Sequence, residues 1–133
     1  MFQTLLKISL LLLCLWIYES KVLASNDPLE GNPTCNQKFS INPDGSAVCI
    51  EAVPGQIAYK CQLSSCWRNN HQFVPLSGCQ LKNSSNKGIS NQQCAQYEYL
   101  ETVVSCTNSG GVTYLCPYTP YMAYLECTSC TKQ

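Results

Sequence analysis

Tyr97-Glu98-Tyr99-Leu100-Glu101-Thr102-Val103-Val104-Ser105-Cys106 is the stretch whose reading decides the fold. It is aromatic and β-branched, alternates in part between apolar and polar residues, and has no 3.6-residue apolar period, so it reads as strand and not as helix. We take it as the longest strand of the chain. Asn108-Ser109-Gly110-Gly111 follows as a turn, and Val112 to Cys116 is the next strand.

Working outward, the same design recurs upstream. Ala47 to Val53 and Gln56 to Cys61 flank Pro54-Gly55, a pair suited to a type II turn because Pro presets φ and Gly accepts a positive one. Each hairpin opens at a cysteine, Cys49 or Cys106, and closes on Tyr-x-Cys, Tyr59-Lys60-Cys61 or Tyr114-Leu115-Cys116. A duplicated unit would produce this, and so would two oxidised hairpins converging on one pattern; the second needs fewer assumptions, and we adopt it here. Met122 to Cys127 fits a final strand or a short helix, and Lys82 to Gln93 reads as a polar loop. The expected class is a small, disulfide-rich, mainly β fold whose hairpins are stapled by about five disulfides.

The cysteine count rests on the N-terminus. Lys7 precedes an apolar run from Ile8 to Ile17, long enough for a signal-peptide core and about half of what a membrane span needs. Val22-Leu23-Ala24 offers a small-residue cleavage site, so residues 1–24 are expected to be a signal peptide and 25–34 a flexible polar leader. A single cysteine-rich domain then covers 35–133. Cys14 leaves with the signal, and ten cysteines stay: Cys35, Cys49, Cys61, Cys66, Cys79, Cys94, Cys106, Cys116, Cys127 and Cys130. An even set in a secreted chain reads as five disulfides, and spacing does not choose among the roughly 945 pairings open to ten cysteines.

Charge excludes two classes of function. Residues 25–133 carry six basic and seven acidic side chains, with no basic run to track a phosphate backbone or an anionic bilayer. No nucleic-acid partner and no membrane span are expected, and the expected state is a monomer.

Catalytic and metal motifs are sparse. Cys127-Thr128-Ser129-Cys130 is a C-x-x-C, read as two structural half-cystines because the chain is secretory and lacks a βαβ unit. His71, the only histidine, sits in a polar loop, and acid–base work would require a positioned Glu51, Glu98 or Glu101 beside it. There is no G-x-S-x-G elbow. We therefore expect no enzyme activity, catalytic residue, metal or cofactor. Asn83-Ser84-Ser85 is an N-glycosylation acceptor. Tyr114, Tyr118, Tyr121 and Tyr124 crowd around two prolines, with Trp67 elsewhere. Trp67, Tyr118 and Tyr121 are the candidate binding face, while Tyr114 and Tyr124 are assigned to packing.

The layout of signal peptide, short cysteine-rich domain and Tyr-x-Cys elements resembles the small secreted cysteine-rich proteins of plant-pathogenic fungi, especially rust-type candidate effectors. Here the two Tyr-x-Cys elements lie deeper in the chain than is usual in that class. The resemblance implies release into the host apoplast and action by binding a host protein or glycan. The alternatives are a secreted toxin or antimicrobial protein, which the near-neutral charge does not favour, and a small secreted hydrolase.

Overall fold

The computed structural model describes Gln3 and residues 32–85 and 88–133. Apart from Gln3, the predicted signal peptide lies outside the described residues, as do Cys14 and most of the leader. The end of that leader belongs to the fold. Pro33 is buried and its carbonyl accepts the Cys127 N–H at 3.1 Å, while the Thr34 N–H donates to Glu51 Oε1 at 2.8 Å.

Eleven strands are described: β1 Lys38–Ile41, β2 Ser46–Glu51, β3 Ile57–Gln62, β4 Cys66–Trp67, β5 Val74–Leu81, β6 Ile89–Cys94, β7 Gln96–Tyr99, β8 Val103–Thr107, β9 Thr113–Pro117, β10 Glu126–Cys127 and β11 Cys130–Lys132. Nine form one antiparallel sheet in the order β11-β3-β2-β1-β7-β8-β9-β5-β6, and β10 pairs with β4 separately. The mainly β, disulfide-rich class is therefore the observed one.

Several elements differ from expectation. The decapeptide from Tyr97 to Cys106 is a hairpin, not one strand: β7 and β8 pair with Tyr97 opposite Cys106, and the Leu100 N–H closes the turn onto the Val103 carbonyl at 2.9 Å. The reason is parity. Tyr97 and Tyr99 are buried before the turn and Val104 and Cys106 after it, and one uninterrupted strand would send these two sets to opposite faces. The longest described strand is instead β5, which carries Pro75 and a glycine, Gly78, at φ +73° where its register against β6 shifts. A bulge explains why this strand tolerates two residues that weaken regular pairing.

Part of the expected polar loop is β6, an edge strand in which only Cys94 is buried. Polar residues suit an exposed edge, since they discourage pairing with other chains. Gly55 lacks the positive φ of a type II turn, and the Val53–Pro54 peptide is cis. Of Met122 to Cys127, only Glu126–Cys127 is strand.

All ten domain cysteines are paired: Cys35–Cys49, Cys61–Cys130, Cys66–Cys127, Cys79–Cys116 and Cys94–Cys106. Every one is buried, so among the described residues half-cystines make up ten of the eighteen in the buried hydrophobic core. Phe39, Leu125, Val74 and Val104 are the largest fully buried side chains around them. Sulfur thus does much of the filling that Leu and Phe do in a larger core. Each bridge is typically worth about 2–4 kcal/mol against a net stability of about 5–15 kcal/mol, so reduction removes a large share of what holds the domain folded.

Candidate functional site

The segment from Pro117 to Glu126 leaves the end of β9 and returns to the Cys66–Cys127 bridge. It has almost no strand of its own, so other groups must fix it. Two tyrosines from β7 do this. The Tyr97 hydroxyl accepts the Leu125 N–H at 2.8 Å and donates to the Cys35 carbonyl at 2.8 Å. The Tyr99 hydroxyl donates to the Ala123 carbonyl. Burial pushes the pKa of both phenols up, so they remain neutral donors well past ordinary phenol titration. Leu125, fully buried, pins the loop's far end into the core.

Held this way, the loop presents aromatic surface. Tyr118 is 50% exposed and packs edge-to-face on Tyr99, with ring centroids 6.3 Å apart, while Tyr121 is 95% exposed. A concavity of about 860 Å³ opens beside them, walled by Tyr99, Leu100, Tyr118 and Tyr124 and edged by Glu98 and Glu101. Gln37 lines the same hollow, its side-chain amide donating to the Tyr99 carbonyl at 2.7 Å.

Trp67 lies on the neighbouring side. It is 50% exposed at the end of β4 and borders a hollow of about 430 Å³ with Arg68, Asn69, Asn70, Tyr124 and Glu126. Asn69 and Asn70 have φ +47° and +64°, and Arg68 and His71 exchange both backbone hydrogen bonds across them, at 2.8 and 2.9 Å. This is the geometry of a tight two-residue hairpin turn, where Asn accepts the left-handed conformation better than most residues. The Arg68 guanidinium stands 5.8 Å from the Tyr124 ring centroid, a cation–π distance. Tyr124 borders both hollows, so it links the Trp67 side to the Tyr118 side.

Trp67 and Tyr118 thus flank one shared ring, and Tyr121 projects from the same loop as Tyr118. Tyr114 and Tyr124 are partly buried and pack against the core. The sequence reading missed Tyr97 and Tyr99 as the loop's anchors and missed Leu100 as wall. Its one available signal for the Trp67 turn was the Asn69-Asn70 dipeptide, a turn-former by composition.

The other singled-out residues are scattered. His71 stacks on Phe73 at 4.8 Å, and none of its described interactions is with Glu51, Glu98 or Glu101. Glu51 accepts from Thr34, and Glu98 pairs with Lys38 at 3.5 Å. Cys127 and Cys130 belong to different disulfides, with Cys66 and Cys61. Two triplets of cysteine sulfurs lie within 4.8 Å of one another, and all of these are half-cystines without a thiolate to offer. Asn83 is exposed, at φ +63°, in the turn after β5.

A second sizeable hollow, about 810 Å³, lies over the Cys61–Cys130 bridge and includes Asp44, Lys60, Leu63 and Thr131. Hydrogen bonds from the Ser46 hydroxyl and N–H and from Lys60 hold the Asp44 carboxyl down to about 2. Its ionic groups are therefore already partnered with each other. No described helix is long and apolar enough to cross a membrane. The sequence matches no family model, no curated protein and no solved structure.

Proposed function

We propose that this is an extracellular binding protein, a fungal effector in its setting, that engages a host glycan through the Trp67–Tyr124–Tyr118 face. One observation carries the reading: exposed aromatic rings are held rigidly on a cystine scaffold beside a concavity that also offers carboxylate and amide groups. Flat rings stack on the apolar faces of sugars, while Glu98, Glu101 and Gln37 are of the kind that hydrogen-bond hydroxyls. Pre-organisation matters here, because a rigid face loses little conformational entropy on binding. Five disulfides accord with an oxidising extracellular compartment, which supports the reading indirectly. The protein acts as a monomer, and Asn83, exposed in the turn after β5, carries a glycan.

A host protein is the runner-up ligand, since Trp and Tyr also dominate protein hot spots. The test is titration calorimetry of the secreted protein against host cell-wall oligosaccharides, with Trp67→Ala and Tyr118→Ala alongside. We expect at least a tenfold loss of affinity in each variant at unchanged melting temperature. A blank titration, with capture of a host apoplastic protein that depends on the same two residues, moves the reading to a protein partner. Turnover of the oligosaccharide that disappears in His71→Ala would replace it with an enzyme.

A further inference from the structure

The two hairpins singled out by their Tyr-x-Cys endings agree in more than their residues. Phe39 of β1 faces Tyr97 of β7 at the middle of the nine-stranded sheet, both buried. Counting outward from that pair, Phe39 opposes Cys49 as Tyr97 opposes Cys106. Cys49 then opposes Tyr59 as Cys106 opposes Tyr114, and Ala47 opposes Cys61 as Val104 opposes Cys116. One strand further out, Lys60 opposes Thr131 and Tyr59 opposes Lys132, while Leu115 opposes Gln80 and Tyr114 opposes Leu81. No register slips anywhere in this series.

The disulfides obey the same correspondence. In chain order Cys35, Cys49, Cys61, Cys66 and Cys79 answer to Cys94, Cys106, Cys116, Cys127 and Cys130. Cys35–Cys49 then maps onto Cys94–Cys106, and Cys61–Cys130 onto Cys116–Cys79. Cys66–Cys127 maps onto itself, and these two residues also pair directly between β4 and β10. Convergence of oxidised hairpins accounts for two similar hairpins. It does not account for matching outer strands, matching bridges or a self-paired fifth bridge.

We infer that the chain is two copies of one five-cysteine unit, residues 33–81 and 92–132, folded as a fused dimer whose copies exchange their last strands. β5, from the first copy, completes the sheet of the second beside β9, and β11, from the second, completes the first beside β3. Exchange of an identical terminal element between two copies is a low-cost route from a symmetric dimer to a single interlocked domain. Three bridges lock it: the exchanged pairs Cys61–Cys130 and Cys79–Cys116 and the central Cys66–Cys127.

The copies differ where the proposed binding face lies, a consequence that rests on that reading of function. The first copy has four residues between Cys61 and Cys66 where the second has ten, Pro117 to Glu126. The first has twelve between Cys66 and Cys79, including Trp67 and Arg68, where the second has two. These unshared segments leave the central bridge from the same end, where Trp67 pairs with Glu126, and meet where Arg68 covers Tyr124. A duplicated scaffold therefore carries one ligand face, not two.

The test maps bridges in the unreduced secreted protein by peptide mass. Expected are two bridges within copies, Cys35–Cys49 and Cys94–Cys106, and three between them. Any bridge whose counterpart is not also a bridge overturns the duplication, and Cys61–Cys79 together with Cys116–Cys130 overturns the exchange. A cleavage site introduced between Ser85 and Gly88 gives a second measurement that needs no refolding. The nicked protein should remain one covalent species, heavier only by the water added at the cut, and keep its melting temperature until reductant is added; separation of the two pieces without reductant overturns the exchange. A circular permutant running 88–133 and then 25–85 reverses the order of the copies and should recover the same five bridges, and another pattern would sink the equivalence. All three readouts are independent of ligand binding, so they stand or fall apart from the proposed function.

Discussion

The half of the sheet built on β1–β3 and the half built on β7–β9 share strand registers and cystine positions, and differ in what fills the space between them. Phe39 in the first is matched by Tyr97 in the second, and the added hydroxyl is what ties down the aromatic loop. Gln62 in the first is matched by Pro117 in the second. The Gln62 N–H donates to the Ser129 carbonyl at 2.9 Å, whereas Pro117 has no N–H and packs against Gly78, the counterpart of Ser129. The scaffold tolerates such exchanges because sulfur bridges hold the strands in place. Paired strands and cystines set the frame, and unpaired segments set the surface that a ligand would meet.

The largest expected break in this comparison comes from the bridges. Full reduction should abolish the cooperative unfolding transition at 25 °C, read by near-ultraviolet circular dichroism. Removing Cys66–Cys127, which closes a separation of 61 residues, should cost more than removing Cys94–Cys106, which closes 12. The chain-entropy argument puts the difference at about 1.4 kcal/mol, measured by denaturant titration of the two double variants.

Tyr97→Phe makes the second half resemble the first. It leaves the Leu125 N–H and the Cys35 carbonyl without the hydroxyl they share, at a cost of about 2–3 kcal/mol. Hydrogen exchange should quicken first at Leu125 and its neighbours, and equal loosening throughout the sheet would argue against a local anchor. At high pH the sign is fixed by the raised pKa of Tyr97 and Tyr99: the unfolded chain ionises first, above about 10, so stability should fall as pH rises through that range.

Gly78→Ala asks for a side chain at φ +73° with its Cβ 3.2 Å from Pro117 Cγ, and should cost about 1–2 kcal/mol. The matched change Ser129→Ala, beside Gln62, should stay within about 0.5 kcal/mol. Similar losses at both positions would mean that the Pro117 contact is not what separates the halves.

The smallest effect belongs to the β1–β2 turn, whose Asp44 carboxylate accepts from Ser46 and Lys60. Its pKa is lowered from 3.8 to about 2, so the stabilisation is present above the unfolded value and fades as pH falls from about 4 toward 2. An NMR titration should place the Asp44 midpoint near 2, and Asp44→Asn should remove that part of the acid slope.

Much of the fold was legible in particular residues. The Asn108-Ser109-Gly110-Gly111 turn and the strands around Cys49, Cys61 and Cys116 could be read locally, because β-branching and turn chemistry act over a few residues. The turn at Leu100–Thr102 left a trace as well: the buried parity of Tyr97 and Tyr99 changes at Val104 and Cys106, which only a reversal or a bulge permits. β6 left none, since an edge strand with one buried residue needs no apolar pattern. Trp67 and Tyr118 were identifiable as exposed-aromatic candidates, but their joining through Tyr124 was not, because they lie in segments far apart in the chain that the β4–β10 pairing brings together.

By itself the sequence determined the class of this protein: an even set of ten domain cysteines with short strands and turns between them. Those are local and compositional properties. Tertiary structure alone decided which cysteines pair, which half each terminal strand completes, and which tyrosines anchor a loop and which face outward. The physical reason is that pairing, exchange and burial depend on contacts between residues far apart in the chain. Spacing places no constraint on those contacts until the sheet has formed.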